Sequence, residues 1–426
     1  MKKIITPLVF AALTPLVFVA SAAFGGPEEP QTARAMPAVT ATVTKVHDFT
    51  KADGIRVRDS MTVGPDGALY GTAWQGGSGS CGTVFRFDPV ASAYSVIHDF
   101  TPLVNGRNLD GCNPVAPVSF HDGRLYAVTR GGGQGGNPLR AALGAIVSMN
   151  LDGSHFARVH DFGTAKPGGG YIDGGGSPQG GLVWDTTHNV AYAAETAGIY
   201  RFNPADGSAV LLYAFPPVNA NRVNVIGSNP YGSPAFGADG RLYGFTMYGG
   251  ANGRGTVYAF DLAANRPRLI YTNPAYSFSG NTDNTPLNSP IMASDGASYF
   301  AMEFGCANGS GCLAKVERTV TIIHEFGVYP YSPDGSLPLG TLVEAPDGYL
   351  YGTTMYGSAG YGTIYRIGKD GRGFQSLYHF MLDRHGGPTS MCWPYAGLTV
   401  VGTSLYGTTG LCGKYGGGTI FRVDLH

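Results

Sequence analysis

Leu350-Tyr351-Gly352-Thr353-Thr354-Met355-Tyr356-Gly357, followed closely by Gly362-Thr363-Ile364-Tyr365, holds the fold in two phrases. Both read as short strands, rich in β-branched and aromatic residues, punctuated by glycine and without a helical period. The tyrosine of the first phrase recurs at Tyr70, Tyr126, Tyr192, Tyr243, Tyr299, Tyr351 and Tyr406, at spacings of 56, 66, 51, 56, 52 and 55 residues. The Gly-Thr phrase recurs at Gly82, Gly144, Gly198, Gly255, Gly362 and Gly418, with a degraded copy over 312–316. A third phrase, His-Asp-Phe or a relative, falls at His47, His98, His160, Tyr213, Tyr271, His324 and His379. A weaker strand, often led by proline, precedes each tyrosine phrase, as over 114–120 and 338–345. Four short strands per repeat at this period predict propeller blades. We letter them A to D from the axis outward: proline-led, tyrosine, Gly-Thr and His-Asp-Phe.

The ends of the pattern predict closure. The repeats begin on a D strand over 41–49 and end on a C strand over 418–424. The first strand then completes the last blade and leaves no open edge. An open solenoid would need capping repeats, and the pattern has none. The expected fold is an all-β, seven-bladed β-propeller closed by pairing of the N-terminal strand with the last blade.

The phrases resemble the GloVer tandem repeat of bacterial exported proteins. The resemblance covers nearly the whole chain after its leader. It is carried best by the two phrases quoted above and by Leu405-Tyr406-Gly407-Thr408-Thr409 with Gly418-Thr419-Ile420-Phe421. It is weakest in the third and fifth blades. It implies export and a repeat fold, and no reaction. Such proteins often carry a C-terminal sorting or anchoring segment; with the last strand ending near His426, none is expected here.

Lys2 and Lys3, an apolar run over 4–20 and the small residues Ala20-Ser21-Ala22-Ala23 read as a secretory signal peptide over 1–23. Pro7, Pro15 and the shortness of the run argue against a membrane span. A flexible tail over 24–40 leads into the propeller, 41–426. A soluble, secreted or periplasmic monomer is expected. The net charge of -1 excludes a general attraction to nucleic acid or to an anionic membrane. The 6 cysteines are even in number, which in an exported chain suggests disulfides. Their spacing lacks the pairs of a zinc site. Shared loop location favours Cys81–Cys112, Cys306–Cys312 and Cys392–Cys412. No metal or cofactor is expected.

Alternating strand direction sorts the loops onto two faces. The A–B and C–D turns are short and generic, with Asp-Gly at 66–67, 122–123, 239–240, 295–296 and 347–348. Glycine accepts the positive φ of such hairpin turns, so these aspartates read as structural. The D–A and B–C loops are long and varied, for example 101–113, 163–176, 216–229 and 381–393. Variable loops on a rigid ring are where function sits.

Departures from the repeat mark the candidate residues. Where other copies have Thr129, Thr246, Thr354 or Thr409, the third has Glu195. One position later, Trp74, Met247 and Met355 give way to Arg130 and Glu303. These positions end strand B near the channel mouth, where a charge is costly unless solvated, paired or used. Arg130 and Glu195 either pair with each other or contact substrate. His385, in Asp383-Arg384-His385, is the loop-face candidate for a general base, or else a solvent-facing residue. Trp74, Tyr171, Tyr248 and Tyr356 offer rings for sugar stacking or protein packing. The histidines of strand D repeat too often for one site and are expected to join blades.

Two function classes fit. The first is a propeller that binds, and as an enzyme cleaves, an extracellular polysaccharide. A lyase fits better than a hydrolase, because Glu195 and Glu303 lie in blades 3 and 5 and are far apart for an acid–base pair. The second is a non-catalytic scaffold presenting its loop face to a protein partner. Convergence of Arg130, Glu195, Glu303 and His385 in one pocket is the observation that separates them.

Overall fold

The computed structural model describes residues 38–134, 143–163, 173, 175–273, 288–303, 306, 308–317, 319–329, 331–382 and 391–426. The expected signal peptide and most of the expected tail lie outside them. Seven antiparallel sheets follow one another along the chain, each with strands in the order A-B-C-D. Blade 1 runs from Thr62–Val63 through Leu69–Ala73 and Thr83–Asp88 to Ala93–Asp99. Blade 7 takes Thr399–Val401, Ser404–Thr409 and Thr419–Leu425 from the end of the chain, and Ala41–Asp48 from the start. Ala41 faces Leu425 and Asp48 faces Thr419 in that closing ladder. The ring is therefore closed as the phrase order predicts.

The glycine of the tyrosine phrase has a packing cause. Gly71, Gly244, Gly352 and Gly407 sit directly across from Phe85, Tyr258, Tyr365 and Phe421 of strand C. A Cβ on any of them would come within 2.3–2.4 Å of that ring. Where the glycine is missing, blade 3 keeps the aromatic partner, with Ala193 facing Tyr200, and two blades change it. Phe300 faces Ala314 in blade 5, the same large and small pair with strands exchanged. In blade 2, Ala127 faces Val147. The tyrosine one step earlier points the other way and donates its hydroxyl to the turn aspartate. The distances are 3.0 Å for Tyr70–Asp66, 3.2 Å for Tyr243–Asp239, 2.7 Å for Tyr299–Asp295 and 2.6 Å for Tyr351–Asp347. Each aspartate also accepts the backbone N–H two residues on. That is the structural role expected of the Asp-Gly turns.

Each residue of the His-Asp-Phe phrase has its own task. The histidine meets an aspartate from the following D–A loop: His47–Asp53 at 3.6 Å, His98–Asp110 at 3.2 Å, His160–Asp173 at 3.3 Å and His324–Asp334 at 3.3 Å. Three of these rings also stack on an aromatic of the next blade, His47 on Tyr94, His98 on Phe156 and His324 on Phe374. The aspartate of the phrase accepts N–H groups of the B–C loop, as Asp99 does from Ser78 and Asp48 from Lys414. Phe49, Phe100, Phe162, Phe326 and Phe380 are fully buried. Register corrects one assignment. His379 faces Thr363 as Asp99 faces Thr83, so it occupies the aspartate position, and Tyr378 holds the histidine's.

Around the axis a hydrogen bond crosses every blade interface. Thr62 Oγ1 donates to Val118 O at 2.8 Å, and Trp184 Nε1 to Ser119 Oγ at 3.0 Å. Gly232 N donates to Gln179 O at 3.1 Å. Ser233 N reaches Ser289 Oγ at 3.1 Å, and Ser289 N reaches Thr341 Oγ1 at 3.3 Å. Thr353 Oγ1 donates to Ala396 O at 2.9 Å, and Thr399 Oγ1 to Met61 O at 2.6 Å, returning to blade 1. The disulfides are Cys81–Cys112, Cys306–Cys312 and Cys392–Cys412, as loop location suggested. The first ties blade 1 to blade 2.

Gly71→Ala forces the Phe85 ring aside and should lower unfolding free energy by about 2–3 kcal/mol in denaturant titrations. Adding Phe85→Val, which copies the blade 2 pair, should recover at least about 1 kcal/mol of that loss beyond additivity. Opening Cys81–Cys112 as the double serine variant should cost about 3–4 kcal/mol, the chain-entropy value for a loop of this size.

Candidate binding site at the axial mouth

Strand parity decides which side chains reach the axis. Three residues after the repeat tyrosine the side chain turns into the sheet. There Thr246, Thr354 and Thr409 bond the threonine of strand C at 2.9, 2.6 and 2.9 Å. Four residues after it the side chain turns to the axis: Trp74, Arg130, Glu303 and Met355 all line one cavity of about 380 Å³. Every blade contributes to this cavity, because each A strand brings its first residues to the axis. Arg58 and Asp59 come from blade 1, Tyr231 from blade 4 and Tyr395 from blade 7.

The cavity mixes both charges with aromatic rings. The Arg58 guanidinium lies over the Trp74 ring, 4.0 Å from its centroid. Partial loss of solvent at the mouth holds Arg58 below its ordinary value. Asp59 is pushed up to about 6 by loss of solvent, against the pull of Arg58. The Tyr231 hydroxyl is raised, first by burial and then by Asp59, with Arg130, Arg58 and Glu303 also acting on it. Its hydroxyl thus feels all four charges. Tyr356 lies just outside the lining, edge-on to Tyr329 at 4.7 Å. Its hydroxyl is pushed up to about 12 by burial and by Tyr329.

Of the residues singled out by sequence, Arg130, Glu303 and Trp74 come together. Glu195 does not. It takes the threonine position, pointing into the sheet, with no exposed surface. Its Oε2 accepts the Gly176 N–H at 3.1 Å, and Oε1 has no partner. Burial and the nearby charge of Asp173 push its carboxyl up to about 8. A pairing of Glu195 with Arg130, or of Glu195 with Glu303 across a substrate, is therefore corrected: the strand's alternation sends the two positions to opposite sides. Tyr248 is held against Arg222, 4.9 Å from the guanidinium, and is not part of the lining. His385 and Tyr171 lie outside the described residues. Sequence reasoning missed Arg58, Asp59, Tyr231 and Tyr395. The A segments carry no strong repeat phrase against which these residues would stand out as departures.

Fold and site together define a closed, disulfide-braced, seven-bladed propeller with a charged cavity on its axis. More particularly, the chain belongs to the Gloeobacter/Verrucomicrobia repeat family, whose model matches residues 20–192, 182–380 and 285–426. Among solved structures it is similar to the extracellular domain of a hybrid two-component system, BT4673 of B. thetaiotaomicron. The TM-score is 0.53 at 10% identity, covering 88% of this chain and 40% of that one. A second structure of a BT4673 extracellular domain, described as a one-component system, matches at TM-score 0.53 and 11% identity, covering 88% and 39%. The chain thus spans less than half of those structures, and the likeness is one of fold. No curated protein matches the chain in sequence.

Glu195 gives a pH signature. Its folded value of about 8 exceeds the ordinary 4.5, so between them the native state holds a proton that the unfolded chain has lost. Its contribution to stability is therefore fully favourable below the ordinary value and falls as pH rises toward 8. Glu195→Gln should remove this slope and gain about 2–4 kcal/mol over the parent at pH 8 in denaturant titrations. An unchanged slope in the variant would show that the carboxyl is already ionised in its buried site.

Proposed function

We propose that the protein is an exported binding propeller that holds an acidic saccharide at its axial mouth. One observation carries this reading: Arg58, Arg130, Trp74, Tyr231 and Tyr395 come from four blades and face one cavity. Aromatic rings suit the apolar face of a pyranose. An arginine fork binds a uronate carboxylate in two parallel hydrogen bonds, which a lysine cannot reproduce. The cross-blade bonds and disulfides hold the cavity in shape before the ligand arrives, which lowers the ordering cost of binding.

A lyase-like reading rests on a second observation, the position of Asp59. Its carboxyl titrates near 6, in the range useful for taking a proton beside a uronate carboxylate. Tyr231 is the weaker candidate for that step, because its surroundings favour the protonated hydroxyl. Glu195 has no access to a ligand.

Titration calorimetry with oligogalacturonate and a neutral oligosaccharide of equal length tests the binding reading. The acidic ligand should bind and the neutral one should not. Arg130→Ala should weaken binding at least about tenfold, the loss of one charge-assisted pair, with thermal stability unchanged. Below about 6 Asp59 loses its charge and no longer repels the ligand, so affinity should fall as pH rises from 5 to 7. Asp59→Asn should flatten that profile. If Arg130→Ala lowers stability and leaves affinity alone, the arginine is structural and a protein-interaction propeller is the better reading. Ultraviolet absorbance of an unsaturated product, abolished by Asp59→Asn, would add the lyase step.

A further inference from the structure

Among the described residues, six cations stand exposed on the face of the D–A and B–C loops: Lys51, Arg56, Arg58, Arg130, Arg222 and Lys414. Most acids of that face are partly or wholly withdrawn: Asp48, Asp53, Asp59, Asp99, Asp161 and Asp334 are half-buried. Asp110 and Asp173 are buried in the histidine pairs, and Glu195 and Glu303 are buried near the axis. Glu325, at the end of its D strand, remains exposed. The other exposed carboxylates lie in the hairpin turns of the opposite face, Asp66, Asp239, Asp295 and Asp347 among them. Among the described residues, exposed cations thus outnumber exposed acids on this face, in a chain of net charge -1.

That same face carries large apolar side chains in the open. Val104, Leu109, Val225, Val328, Tyr331 and Met381 are between 62 and 82% exposed. Five sit in the D–A loops that lead into blades 2, 6 and 7, and Val225 near the start of the strand Asn224–Phe236 of blade 4. On the opposite face the comparable described side chain is Val90, 94% exposed in the C–D turn of blade 1. A single exposed valine needs no explanation; a set confined to the loops of one face does.

We propose that the loop face docks the protein on an anionic phospholipid bilayer. The apolar side chains are dispersed over separate loops and do not form one patch. A rigid protein partner would need a matching pocket at each loop. A fluid bilayer accepts each side chain wherever it falls, while its headgroup phosphates complement the cations between them. Neither term suffices alone, which is why their coincidence on one face matters. Docked this way, the axial mouth opens toward the headgroup layer. The inference shares Arg58 and Arg130 with the axial mouth, and its variants lie outside that cavity.

Co-sedimentation of the full chain with vesicles tests it. Phosphatidylglycerol–phosphatidylcholine vesicles should bind the protein and pure phosphatidylcholine vesicles should not. Raising salt from about 0.1 to 0.5 M should weaken binding at least about tenfold, as screened charges require. Val104→Asp with Leu109→Asp, and separately Lys51→Glu with Lys414→Glu, should each weaken it at least about tenfold with unchanged melting temperature. Val90→Asp, on the other face, should leave it as in the parent. Absence of binding to the anionic vesicles overturns the proposal. So does an equal loss in Val90→Asp. Retained binding in the Val104–Leu109 variant also overturns it, and assigns those side chains to a protein interface. Oligogalacturonate affinity of the Val104–Leu109 variant, read in parallel and expected at the parent value, keeps failure of this proposal distinct from failure of the axial site.

Discussion

Everything in this molecule depends on closing a ring whose blades are each only a few residues wide at the axis. Seven twisted sheets meet there, and a belt of hydrogen bonds from Thr62 round to Met61 ties each blade to the next. These bonds pair groups that would otherwise be buried and unsatisfied. The strand Ala41–Asp48 completes the last blade and removes the free edge that would otherwise invite pairing with another chain. The cavity is a by-product of that geometry, since the inner strands cannot fill the space they enclose.

Outside the belt, the repeat phrase divides its labour by direction. The tyrosine hydroxyl fastens the turn on one face, and the histidine and aspartate of strand D fasten the loops on the other. Each fastening uses an acid. On the loop face the fastening acids sink below the surface, because loop N–H groups and a histidine both converge on them, as at Asp110 and Asp173. The cations left behind give that face its sign. Charge segregation of this kind follows from hydrogen-bonding need and requires no excess of basic residues.

At the axis a single residue of register separates scaffold from site. Arg130 and Glu195 stand one position apart in the aligned repeats, yet one faces the cavity and the other is sealed in the sheet. A strand has period two, so neighbouring positions face opposite sides. The threonine position is occupied in other blades by a pair of hydroxyls that satisfy each other. A carboxyl placed there finds one N–H and no cation, and keeps its proton.

The sequence by itself determined the blade count, the strand order within each blade and the closing pair, because these rest on periodicity; shared loop location favoured the disulfide pairing, and the structure decided it. The sequence marked Arg130 and Glu303 as departures from the repeat, and Trp74 as a ring at the same position. It did not determine their company. Arg58, Asp59, Tyr231 and Tyr395 are hundreds of residues apart at the extremes and meet only because the ring brings every A strand to one axis. Nor did it reveal the cationic face: a net charge of -1 is a sum over the whole chain, whereas the field at a surface depends on which acids the fold buries. Periodic pattern is local and legible in one dimension. Convergence and burial are properties of the closed ring, and only the tertiary structure decides them.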